Sequence, residues 1–139
     1  MKKRPIVGLM MVLLARWIPA TAMGGVLEGS KPLICAVMHG TECDAVTQEC
    51  QSGPAWFLNL PVFIDLDFKK MTATTTRVDQ DEKLSKIEHM KELSGNRLSL
   101  QGAEGDYSWS AVLTDYGSLT LVIAGEDIAF TVFGACTPR

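Results

Sequence analysis

Few side chains in this chain are of the kinds that do chemistry. There are two histidines, His39 and His89, and four cysteines, Cys35, Cys43, Cys50 and Cys136. General acid-base work needs a histidine or carboxylate within hydrogen-bond reach of a second polar group, and a nucleophile needs a base beside it. Neither histidine stands in a nucleophile motif, and no glycine-rich phosphate loop is present. Asp65 and Asp67 share one face of an extended segment and could hold a cation or act as acid and base. No histidine or third acid lies near them in sequence, so they read as the solvated outer face of a strand. Asp79 and Asp81 have the spacing of calcium-loop ligands but lack the mid-loop glycine and the terminal glutamate. His39, Cys43 and Cys50 would make a zinc site only if both thiols stayed reduced. The chain reads as non-enzymatic, with no catalytic residue, no metal and no cofactor.

The cysteines point instead to a covalent framework. The chain opens with Lys2, Lys3 and Arg4, continues apolar from Ile6 to Ala15, and reaches the small-residue site Ala20-Thr21-Ala22. That is the pattern of a secretory signal over residues 1–22, and it is too short to span a membrane. Four cysteines in an exported chain favour disulfides over thiol chemistry. If Leu33 to Cys43 is one strand, Cys35 and Cys43 lie about 26 Å apart, far beyond what a bridge allows. Cys43 and Cys50 flank six residues, a hairpin-end spacing. The expected pairs are therefore Cys35 with Cys136 and Cys43 with Cys50. The first would join the two ends of a sheet.

Cleavage after Ala22 would leave 117 of the 139 residues, enough for one domain with a core. Without Lys2, Lys3, Arg4 and Arg16, 9 basic residues face 16 acidic ones, a net charge of −7. Such a charge argues against binding nucleic acid, which takes clustered Lys and Arg. The expected protein is exported, periplasmic or extracellular, monomeric and without a stable membrane anchor.

The elements that would carry these residues are strands. Tyr107, Trp109, Ala111 and Leu113 alternate with Ser108, Ser110, Val112 and Thr114. The pattern repeats in Leu119, Leu121, Ile123 and again in Ile128, Phe130, Val132. Asp115-Tyr116-Gly117 suits a three-residue hairpin with a left-handed glycine, and Gly125-Glu126 a two-residue turn with positive φ at Gly125. Upstream, Val62, Ile64, Leu66 and Phe68 alternate with Phe63, Asp65, Asp67 and Lys69. His39 would continue the face of Cys35 and Val37 or sit near its end, as a structural residue. Met23 to Lys31 has no periodicity and reads as a flexible leader. Leu84 to Leu93 is ambiguous: its apolar residues step by three, and a strand over about 87–93 competes with a charged helix. The spans 33–43, 48–52, 62–68, 71–76, 87–93, 97–102, 107–114, 118–124 and 127–136 then make an all-β fold. It is a small antiparallel barrel of eight or nine strands with a meander in its C-terminal half. Residues 54–60 would form one short helical turn or plug, and 32–139 one domain.

In NLPVFIDLDFKK (59–70), RLSLQG (97–102), YSWSAVL (107–113) and FGACTPR (133–139) the chain resembles a family of small exported proteobacterial proteins of unknown function. The resemblance implies a β-rich secreted domain and carries no activity or site residues with it. Two roles follow from the residues themselves. In the first, the barrel presents its loops to a protein partner, as an inhibitor of a basic hydrolase would, with negative charge aiding encounter. In the second, it carries a small apolar ligand in its interior, with Trp56, Tyr107 and Trp109 as pocket walls. The competing reading of those aromatics is that they simply fill the core.

Overall fold

The computed structural model describes residues 25–27, 31–78 and 80–139; the expected signal segment, 1–22, lies outside them. The fold is all-β, a closed eight-strand antiparallel barrel with one extra strand and no helix among the described residues. The strands are β1 (Leu33–Asp44), β2 (Glu49–Gly53), β3 (Phe63–Asp67), β4 (Thr72–Thr76), β5 (Lys83–Leu93), β6 (Arg97–Glu104), β7 (Tyr107–Thr114), β8 (Ser118–Ala124) and β9 (Ile128–Pro138). From β3 onward each strand pairs with the next, and β9 returns to pair with β1 along its whole length. Closure removes the sheet edges that a lone meander would expose.

β1 has one edge on β9 and divides the other between two partners. Leu33 to Ala36 pair with β3, while Gly40 to Asp44 pair with β2. The loop from Pro54 to Val62 crosses between those partners, tied by Val37 N–H to Val62 O at 3.0 Å and Val62 N–H to Thr76 O at 2.8 Å. Within it, the N–H groups of Phe57 and Leu58 both point to Pro54 O, and Leu60 N–H reaches Ala55 O at 2.9 Å. These bonds make a compact turn that is not repeated, so the expected helical turn at 54–60 is a plug without helix. Leu58 and Leu60 are buried, and Gly40 lets them in, since a Cβ there would stand 2.7 Å from Leu60 Cδ1.

Strand alternation sends one set of side chains inward: Leu33 and Cys35, Ile64 and Leu66, Ala73, Ser85 and Ile87, Leu100, Ala111 and Leu113, Leu119 and Leu121, Val132 and Cys136. The outward set on β5 to β7 is mostly polar, with Lys86, Lys91, Ser99, Gln101, Ser108 and Ser110 beside the apolar Leu84 and Val112.

Two bulges change the phase. On β1 the register shifts between Val37 and His39, so Gly40 and Glu42 take the inward positions and His39 faces out, exposed. The expectation that His39 continues the Cys35 and Val37 face is corrected by that one extra residue. On β5 the register shifts between Ile87 and His89: Ile87 pairs with Gly102 and Met90 with Leu100. The bulge accounts for the step of three from 87 to 90, which a regular strand does not show. β5 also begins at Lys83, extending the expected strand into the charged segment.

Cys35 and Cys136 stand opposite one another on β1 and β9 and are joined by a disulfide; Cys43 and Cys50 do the same across β1 and β2. The first lies in the core, the second on the outer face. At the end of the barrel nearest Leu33, residues 25–27 of the expected leader are docked. Val26 N–H donates to Asp115 O at 2.7 Å, and Val26 and Leu27 pack on the core. Gly117 has the expected left-handed backbone, φ 91°. Gly125 does not have a positive φ; residues 125–127 form the link, and Gly125 instead leaves room for the Tyr107 ring.

Candidate functional site

The barrel is hollow at the end opposite the docked leader. Its cavity measures about 540 Å³ and runs from the interior to a mouth formed by the 104–107 turn, the 54–62 loop, Arg77 and Lys83. Inward positions at mid-barrel are aliphatic, Ile64, Leu66, Leu100, Ala111, Leu119 and Leu121. One layer nearer the mouth the lining becomes mixed, with the polar Thr75 and Ser85, the aromatic Trp109 and Phe130, and Ile123. At the rim they are charged, with Glu42, Arg77, Lys83 and Glu104 joined by Asp106. The volume lies within the roughly 300–1,000 Å³ usual for small-molecule sites, and an apolar body with a few convergent polar groups is their usual lining.

Two features hold the wall in place. Trp109 Nε1 donates to Ser85 Oγ at 2.8 Å, and Ser85 Oγ in turn donates to Ala103 O at 3.2 Å. Both polar groups of this half-buried pair are thereby satisfied, and the indole is fixed. The rim holds an ion pair, Lys83 Nζ to Glu104 Oε1 at 4.0 Å. Arg77, directly after β4, has a buried Nε with no hydrogen-bond partner among the described residues.

Of the three aromatics expected as pocket walls, Tyr107 and Trp109 line the cavity. Trp56 does not, a correction to the sequence reading: it is 71% exposed, and its ring packs edge-on against Phe57 with centroids 6.2 Å apart. The loop turns Leu58 and Leu60 inward, and Trp56 and Phe57 point away. His39 and His89 are both exposed and do not border the cavity. Among the described residues no three His, Cys, Asp or Glu side chains group as metal ligands. Asp65 accepts from Arg139 Nη1 at 2.7 Å. Asp67 accepts the backbone N–H groups of Lys70 and Lys69, and these bonds, Lys70 first, hold its carboxyl below the ordinary aspartate value. The two acids share the outer face and each has its own local partner.

Sequence reasoning missed Glu42, Arg77, Lys83 and Glu104. Each occupies an inward phase at a strand end. Glu42 acquires it only through the β1 bulge, and Lys83 lies where a loop was expected.

These features define the class: a small, closed, disulfide-linked β-barrel with an open apolar interior. No protein-family model matches the chain, and neither a curated protein nor a solved structure matches it.

Proposed function

We propose that the barrel binds a small, largely apolar molecule in its interior and acts as a carrier. The observation behind this reading is the cavity of about 540 Å³ with an aliphatic floor and a charged rim. A filled interior would have left the barrel only its outer surface and loops for recognition. Eight strands suffice to enclose one small ligand. The two disulfides fit an oxidising compartment, and together with the signal-like segment 1–22 they support a periplasmic or extracellular place of action.

The test is native mass spectrometry of protein purified from its own envelope, combined with fluorescence titration. If residues 1–22 are removed, Trp56→Phe leaves Trp109 as the sole tryptophan, so its emission reports on the cavity wall. A retained small molecule, and a saturable Trp109 response to alkyl ligands, are expected. Repeated recovery of bare polypeptide with a silent Trp109 would overturn the reading.

Binding of a protein partner through the loops has one specific observation in its favour, the exposed Trp56 and Phe57 side by side on the 54–62 loop. Aromatics of this kind anchor interfaces. A pull-down with wild type and with Trp56→Ser/Phe57→Ser should then lose any enriched protein in the variant; the same proteins recovered with both would count against it.

A further inference from the structure

We infer that the cavity takes an amphiphile with a single acidic head, an alkyl carboxylate, its chain on the aliphatic floor and its head on Arg77. This rests on the carrier reading and adds to it the chemistry of the ligand. The supporting fact is the state of the rim cations. Lys83 already has Glu104 beside it, at 4.0 Å. Arg77 lines the cavity and forms no ion pair among the described residues. A guanidinium fork is shaped to receive the two oxygens of a carboxylate.

The acids at the rim need no ligand in the same way. Asp106 is exposed, and Glu42 is partly exposed and faces Gln51 Nε2 at 3.5 Å. Water satisfies exposed carboxylates at little cost, whereas Arg77 is a cavity-lining cation with no carboxylate beside it among the described residues. The same acids set a limit: with Glu42, Glu104 and Asp106 around the mouth, a head carrying more than one negative charge is repelled. A single carboxylate on Arg77 fits both conditions. Below it, Ile64, Leu66, Leu100, Ala111, Leu119 and Leu121 offer only aliphatic surface, which suits an alkyl chain.

The test compares decanoate, decan-1-ol and decylammonium on the mature protein at neutral pH, by calorimetry and by Trp109 emission in the Trp56→Phe background. Decanoate should bind tighter than decanol by about ten-fold or more, and decylammonium more weakly than either. In the series from hexanoate to decanoate each added methylene should tighten binding about four-fold until the floor is filled. Arg77→Met should reduce decanoate affinity to that of decanol and leave decanol within about two-fold, with Arg77→Lys intermediate. Equal binding of decanoate and decanol, tighter binding of decylammonium, or unchanged decanoate affinity in Arg77→Met would overturn the acidic head while leaving an apolar carrier. Failure of all three ligands to bind would overturn the carrier reading and this inference with it. Should Arg77→Met not fold, the wild-type comparison of the three heads decides.

Discussion

The indole of Trp109 on β7 passes over Gly102 on β6 and donates to Ser85 Oγ on β5, at 2.8 Å. Three neighbouring strands are thus linked inside the barrel by one side chain that skips the middle strand. Gly102 makes the crossing possible, because a Cβ there would meet both the indole ring and Lys86 O. Gly102→Ala should therefore destabilise the fold by about 1–3 kcal/mol through overpacking. Ser85→Ala should cost about 1–2 kcal/mol by stranding the indole N–H. Urea unfolding measures both, and a Gly102→Ala variant as stable as wild type would mean that the indole does not lie across β6.

The two disulfides should differ in weight. Cys35 and Cys136 are 101 residues apart in sequence and Cys43 and Cys50 only 7. Loop-closure entropy assigns the first about 4.7 kcal/mol and the second about 2.5 kcal/mol. Paired alanine substitutions followed by denaturant unfolding should show the larger loss for Cys35→Ala/Cys136→Ala. Equal losses would mean that constraint of the unfolded chain is not what separates them.

Leu60 is a buried residue of the plug, seated against Gly40 of β1. Leu60→Ala should cost about 2–5 kcal/mol and enlarge the cavity beside its mouth. Gly40→Val should drive the plug from its seat and speed proteolysis within 54–62. Wild-type cleavage kinetics in the Gly40→Val variant would contradict the seating.

Acid stability should depend on two turn aspartates. Asp44 is held below the ordinary aspartate pKa by the backbone N–H of Thr47 and then of Val46, and Asp67 by that of Lys70. A folded pKa below the unfolded one stabilises the fold above the unfolded value, near 3.8, and that contribution fades as pH falls through the folded value. Asp44→Ala and Asp67→Ala should each lower the melting temperature at neutral pH and converge on wild type in strong acid. A difference that does not shrink below pH 3.8 would rule out the ionised carboxylates as its source.

Much of the wall was legible from residue order. Alternation in 107–113, 119–123 and 128–132 marks β7, β8 and β9, and Gly117 marks the turn it makes, because each is a local steric choice. The pairing of Cys35 with Cys136 could be reached by excluding what an extended strand cannot bridge and by the hairpin-end spacing of Cys43 and Cys50. Less legible was anything downstream of a bulge. A strand read at strict period two puts His39 inside and Glu42 outside, and leaves β5 indistinct from a helix. One unpaired residue in each case reverses the face, and which residue bulges depends on the partner strand, β9 for β1 and β6 for β5.

The order of residues by itself determined that this chain is a single acidic sheet of alternating strands with its ends close enough to share a disulfide. Periodicity, turn chemistry and cysteine spacing are properties of neighbours along the chain. Only the tertiary structure decided that the barrel has room inside, that Tyr107 and Trp109 border that room while Trp56 faces away, and that Arg77 reaches it with no carboxylate partner among the described residues. A cavity is what remains after side chains from eight strands and a plug have been placed in common layers, and no single segment contains the sum.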